Sequence, residues 1–119
     1  MSIYVENISD MAIVECEGKI VRSEDASKLR KAVISQADAR VVVLDLSEVR
    51  VIDGGGLAML LFLQRWTQDR DIQLKLFNPT TLVKYRLERA NPTPHFDFVP
   101  LNEMMALLAR SDKRYAAAA

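Results

Sequence analysis

The chain has 119 residues, 50% hydrophobic and 27% charged, which fits one domain whose core is small but large enough to need no disulfide or metal staple. Sixteen basic residues balance sixteen acidic ones for a formal net charge of zero, and that balance excludes a broad basic footprint for nucleic acid. Cys16 has no second cysteine to pair with, and one Cys with one His cannot make a zinc site of the usual kind.

Two strand-length apolar segments open the chain, Ile3–Glu6 and Met11–Glu17, with a turn-like Asn7–Asp10 between them. They read as an antiparallel β-hairpin closed at its far end by Gly18, and Cys16 reads as a buried structural thiol within the second strand. Ser23-Glu24-Asp25 offers an N-cap with acids in the first turn, where the helix dipole favours them. Ala26, Leu29, Ala32 and Val33 recur at helical spacing, so a helix is expected to about Gln36. The run Val41-Val42-Val43-Leu44 predicts a strand buried on both faces, as in a parallel sheet covered by helices. A loop is expected over Ser47–Asp53, then a helix from about Gly55 to Asp69.

Ile72–Phe77 alternates as a strand does, and Asn78-Pro79 is expected to start a helix that turns Leu82, Val83 and Leu87 inward and ends near Asn91-Pro92. Phe96–Val99 is a short last strand, and Asn102 is expected to cap a last helix carrying Met105, Leu107 and Leu108. The order β-β-α-β-α-β-α-β-α defines an α/β fold with a mixed, mostly parallel sheet of about five strands, an opening antiparallel hairpin and about four helices. The longest apolar run, Leu57–Leu63, falls far short of the ~20 residues needed to span a bilayer. With no basic-then-apolar leader, the chain is expected to stay in the cytoplasm where it is made, with no direct membrane insertion.

The most informative stretch is Val42–Leu61, VVLDLSEVRVIDGGGLAMLL. A buried strand leads to Asp53, which stands directly before three glycines at a helix start. In open α/β sheets, ligands and partners meet the fold at such strand ends. Leu44-Asp45-Leu46-Ser47, then Ile52-Asp53 with Gly56-Leu57, resembles the STAS domain of bacterial anti-sigma factor antagonists (anti-anti-sigma factors). Weaker matches follow in order: Gly18 at the end of the second strand; Phe77, Pro79, Val83 and Leu87 at the later helix; Phe98 and Met105-Ala106-Leu107 at the end. On that resemblance, residues 1–113 form the STAS-like domain and 114–119 a frayed tail.

The resemblance implies a non-catalytic module that binds an anti-sigma factor, or another serine-kinase-like protein, to regulate sigma-factor-dependent transcription, and that carries no cofactor. It also places the regulatory phosphate of switched members on a hydroxyl directly after the motif Asp. Here Gly54 and Gly55 occupy the expected positions, so neither accepts phosphate, and Val21 and Arg22 stand in the turn where many members carry an acid. Asp53, Gly54, Gly55, Gly56 and Leu57 are the candidate partner-binding loop, although Asp53 as a plain helix N-cap accounts for the same residues.

On the helix that follows, Leu57, Leu60 and Leu61 form the expected core stripe. Met59, Phe62, Leu63 and Trp66 lie on other sides, and Phe62 or Trp66 would mark a partner or homodimer surface. Two alternatives remain open. One is an adaptor subunit of a larger assembly, such as a stress-sensing complex or a lipid-transport ATPase. The other is a nucleotide or small-ligand site at the glycines, which Leu57-Ala58 in place of the Lys-Ser/Thr of a phosphate-binding loop and the Asp53 charge both disfavour. His95, Asp97 and the carboxylate pairs Asp45/Asp53 and Glu24/Asp25 assemble no catalytic set, and Lys84, Arg86 and Arg89, interrupted by Glu88, read as a solvated helix face.

Overall fold

The protein is represented by a computed structural model that describes residues 1–21, 23–89 and 96–111. Strands are β1 (Ser2–Ile8), β2 (Met11–Ile20), β3 (Val41–Ile52), β4 (Gln73–Phe77) and β5 (Asp97–Val99). Helices are α1 (Ser23–Ile34), α2 (Gly54–Gln68), α3 (Thr81–Glu88) and α4 (Leu101–Ser111). The strands lie in chain order in one sheet, antiparallel between β1 and β2 and parallel thereafter. Element order and the mixed sheet agree with the sequence reading. The expected ends at Asn91-Pro92, His95 and Arg22 fall outside the described residues.

Alternation along each strand separates two cores. Ala12, Val14 and Cys16 of β2, Val42, Leu44 and Leu46 of β3, and Leu74 and Leu76 of β4 pack with Leu29, Val33, Leu60, Leu63, Val83 and Leu87 of the first three helices. The opposite face presents Ile8, Met11, Ile13 and Val43, covered by Met104, Leu107 and Leu108 of α4. Lys75, nearly buried on that face, donates to Asp97 at 2.7 Å and lies 3.8 Å from Glu103, which ties the first turn of α4 to β4 and β5. Only Lys75 is buried; Asp97 and Glu103 are about half exposed and share its charge, so the ammonium stays paired if one of them is lost.

Several expectations are corrected. β3 does not end at Ser47; it runs to Ile52 beside a β2 that runs to Ile20, so Gly18 lies inside a strand. Register shifts put three β3 steps against two of β2 between the Glu15–Asp45 and Glu17–Glu48 pairs, and two against one between Gly18–Val49 and Lys19–Val51. Buried residues on β3 therefore fall at Leu46, Val49 and Ile52, a spacing of three that does not read as a strand. Gly18, at φ +112°, takes up the backbone distortion beside the second shift.

On α2 the core stripe is Gly56, Leu60, Leu63 and Thr67, not Leu57, Leu60 and Leu61. Gly56 and Thr67 are invisible to a search for large apolar side chains. Thr67 is buried because its hydroxyl donates back to the carbonyls of Leu63 and Gln64, at 2.8 and 2.9 Å. α3 starts at Thr81, with Thr80 as N-cap accepting from the Val83 N–H, because Asn78 adopts a left-handed turn (φ +50°) first. Leu82 is 56% exposed instead of inward. α4 starts one residue before Asn102, with the Pro100 carbonyl accepting from Met104 N–H, and Met104 joins the core in place of half-buried Met105.

These assignments predict that Leu63→Ala costs about 2–5 kcal/mol in urea unfolding, whereas Leu82→Ala stays within about 0.5 kcal/mol of wild type. Equal effects at the two positions would contradict the placement of the helix faces.

Candidate functional site: the strand-to-helix loop after β3

The loop is tied down at one peptide. The carbonyl of Ile20, the last residue of β2, accepts from Asp53 N–H at 3.2 Å. Asp53 is extended (φ −100°, ψ −174°), and its Oδ1 accepts from Gly56 N–H at 2.8 Å, so it is the N-cap of α2. Its carboxylate also sits at the positive end of the helix dipole. A nucleotide phosphate in this place would meet a fixed negative charge and a helix N-terminus whose Gly56 donor is already engaged.

The three glycines differ in kind. A Cβ on Gly56 would stand 2.5 Å from the Ile20 carbonyl oxygen and 2.8 Å from side-chain carbons of both Ile20 and Ile52. Glycine is required there for α2 to lie against the ends of β2 and β3. A Cβ on Gly54 meets nothing within 4 Å, and one on Gly55 meets only Asp53 Oδ1 at 3.4 Å. Neither has a positive φ. Packing does not demand glycine at either position.

The helix sorts the remaining candidates. Gly54 and Gly55 are exposed and share one solvent-facing stripe with Ala58, Phe62 and Arg65, at helical spacing. Phe62 is 41% exposed, eight residues and about 12 Å along the helix axis from Gly54. The guanidinium of Arg30, from α1, stands 5.3 Å from its ring centroid and partly covers it. Leu57 and Trp66 do not join this stripe. Both are half-buried against the core, on opposite flanks of the helix, and Arg70 stacks 4.3 Å over the Trp66 ring. Ala58, which completes the stripe, was missed because a small residue gives no hydrophobic signal; its spacing from Gly54 and Phe62 could have found it.

The other motif residues act structurally. Asp45 Oδ1 accepts from both the N–H (3.0 Å) and the hydroxyl of Ser47, and Asn78 Nδ2 donates to that hydroxyl at 3.3 Å. This knot stands where β4 stops pairing with β3, at Asp45–Phe77. Cys16 is buried as expected; desolvation, then the negative charge of Asp45, pushes its thiol from 9.0 up to about 12. Among the described residues no group of three His, Cys, Asp or Glu side chains is placed to hold a metal ion, and no helix is long and apolar enough to cross a membrane.

A mixed five-stranded sheet with an antiparallel opening hairpin, four helices and an Asp-capped glycine turn beyond its central strand defines a particular class of small α/β domain. The chain belongs to the STAS domain family, whose profile matches residues 2–103. Solved structures share the fold at low identity. The anti-sigma factor antagonist SpoIIAA in its unphosphorylated form is 12% identical, with a TM-score of 0.70 over 92% of this chain and 97% of that one. An anti-sigma factor antagonist from Mycobacterium paratuberculosis is 16% identical, with a TM-score of 0.73 over 91% and 93%. A murine anion transporter of the Solute Carrier 26 family is 18% identical, with a TM-score of 0.72 over 90% of this chain but only 19% of the transporter. No curated protein matches by sequence.

The loop and Cys16 can each be tested by substitution and chemistry. Gly56→Ala destabilises by about 1–3 kcal/mol through overpacking, whereas Gly54→Ala is neutral or stabilises by up to about 1 kcal/mol; thermal and urea unfolding separate them. Cys16 reacts with a disulfide reagent at pH 8 at least about a hundredfold more slowly in the folded chain than in urea. Its raised thiol pKa also makes stability fall as pH climbs from 9 towards 12, where the unfolded chain releases the proton first, and Cys16→Ala removes that part of the pH dependence.

Proposed function

We propose that this chain is a non-catalytic interaction module of the antagonist kind. It acts in the cytoplasm by docking an anti-sigma factor with a serine-kinase-type fold and so freeing a sigma factor for transcription. The docking surface consists of the Asp53–Leu57 loop and the adjoining face of α2 around Phe62, with Trp66 at its border. The observation that carries this reading is the exposed stripe Gly54, Gly55, Ala58 and Phe62, which begins at a fixed, capped helix start, and in which packing demands neither glycine and Phe62 leaves 41% of its surface open beside Arg30. Similarity of fold to antagonists of nearly the same length supports the kind of partner.

Gly54 and Gly55 lack the hydroxyl that a kinase would modify, and Ser47 has its own hydroxyl bonded to Asp45 and Asn78. Binding is therefore governed by abundance, not by phosphorylation of this loop. Since Gly54 faces open space, Gly54→Glu introduces a negative charge where a phosphate would stand and leaves the fold intact.

Mass spectrometry of proteins captured by wild type and by Gly54→Glu tests the reading. Capture of an anti-sigma-type kinase by wild type, weakened about tenfold or more by Gly54→Glu, is the expected result. Capture of a transport ATPase or a sensor assembly, indifferent to Gly54→Glu, would replace it with the adaptor reading.

A further inference from the structure

Among the described residues β1 is an edge of the sheet, hydrogen-bonded only to β2. The turn at Ser9 and Asp10 closes on the Ile8–Met11 pair, and the Asp10 carbonyl already faces β3, accepting from Arg40 N–H at 2.7 Å. Strand alternation then sets the direction of each backbone group. Ser2, Tyr4, Glu6 and Ile8 bond to β2, while Ile3, Val5 and Asn7 turn their N–H and C=O groups outward.

Sheets normally blunt such edges with Pro, Lys, bulges or very short strands. The opposite edge does so: β5 has three residues and is followed by Pro100. β1 carries one exposed charge, Glu6, but none of these devices. It is seven residues long, without Pro or Lys, and in unbroken register with β2; both irregularities of β2 lie on its β3 side. Tyr4 and Val5 are 55% and 39% exposed.

We infer that β1 pairs antiparallel with β1 of a second copy of this chain, about a two-fold axis through Val5. That register sets Val5 opposite Val5, Ile3 opposite Asn7 and Tyr4 opposite Glu6. All three outward-facing residues of each copy then exchange backbone hydrogen bonds, about six in total. An axis at Glu6 would oppose two carboxylates, and one at Tyr4 would leave the outward groups of Asn7 unpaired. The strand is thus complementary to itself in one register, which is the requirement of an isologous dimer. The two sheets become one continuous sheet. Because the Asp53 loop lies at the end of the sheet where β1 begins, the half-turn sends the two copies' loops to opposite ends, both accessible.

Sedimentation velocity and amide hydrogen exchange on the full chain, over a wide concentration range, test this. The expected result is a mass that rises to the dimer with concentration, with the Ile3, Val5 and Asn7 amides slowing about tenfold or more in step. Val5→Pro removes an outward N–H that makes no bond within the domain, and Val5→Lys places two like charges on the axis. Each should weaken dimerisation about tenfold or more while circular dichroism stays that of the folded chain. If Val5→Pro fails to fold, Val5→Lys decides the matter. A monomer at every concentration, a dimer indifferent to Val5→Lys, or β1 amides protected only when another protein is added would each overturn the inference.

Discussion

The peptide carbonyl of Ile20 is the point at which β2, β3 and α2 are fastened together. It accepts from Asp53 N–H as β3 ends, and Gly56 crosses it so closely that a single methyl group would collide. The start of α2 is therefore fixed by sheet geometry and not by its own sequence preferences, which three glycines would weaken. With Gly56 pressed against the sheet, Asp53 is positioned to cap the helix, and Gly54 and Gly55 have no direction left but solvent. A loop held this way is ordered in advance, so any contact it makes costs less conformational entropy than one made by a loose loop.

The same fastening depends on the long central strand. β3 reaches Ile20 only because it carries extra residues against β2, absorbed by two irregularities and the left-handed Gly18. The Asp45–Ser47–Asn78 knot sits where β4 leaves off, so the continuation of β3 beyond it is paired on one side only. Thr80 helps to cover the exposed side, donating from its hydroxyl to the Val49 carbonyl at 3.4 Å. Motif residues that look like a binding site in the sequence thus divide into those that build the platform and those that face outward from it.

How legible this was varied by element. Strands and helices with clean periodicity, such as Val41–Leu46 and Ala26–Val33, were read correctly in kind and order. Errors arose where the sequence signal and the buried set differ. Bulged Leu46, Val49 and Ile52 do not alternate, Gly56 and Thr67 are core residues without a large apolar side chain, and Leu82 is apolar but faces water. Phe62 and Trp66 were grouped by hydrophobicity, yet Arg30 and Arg70 lie over their rings and only Phe62 joins the exposed stripe.

By itself the sequence determined the order of the elements, the mixed sheet, the family and the position of the loop. These follow from periodicity, turn residues and a short motif, all of which are local. Only the tertiary structure decided which of the three glycines is indispensable, which face of α2 meets the core, and that β1 offers an open edge. Each of those depends on what a residue meets from a distant part of the chain: Ile20 beneath Gly56, Arg30 over Phe62, and, among the described residues, no strand beyond β1. Spacing along one segment cannot encode such neighbours.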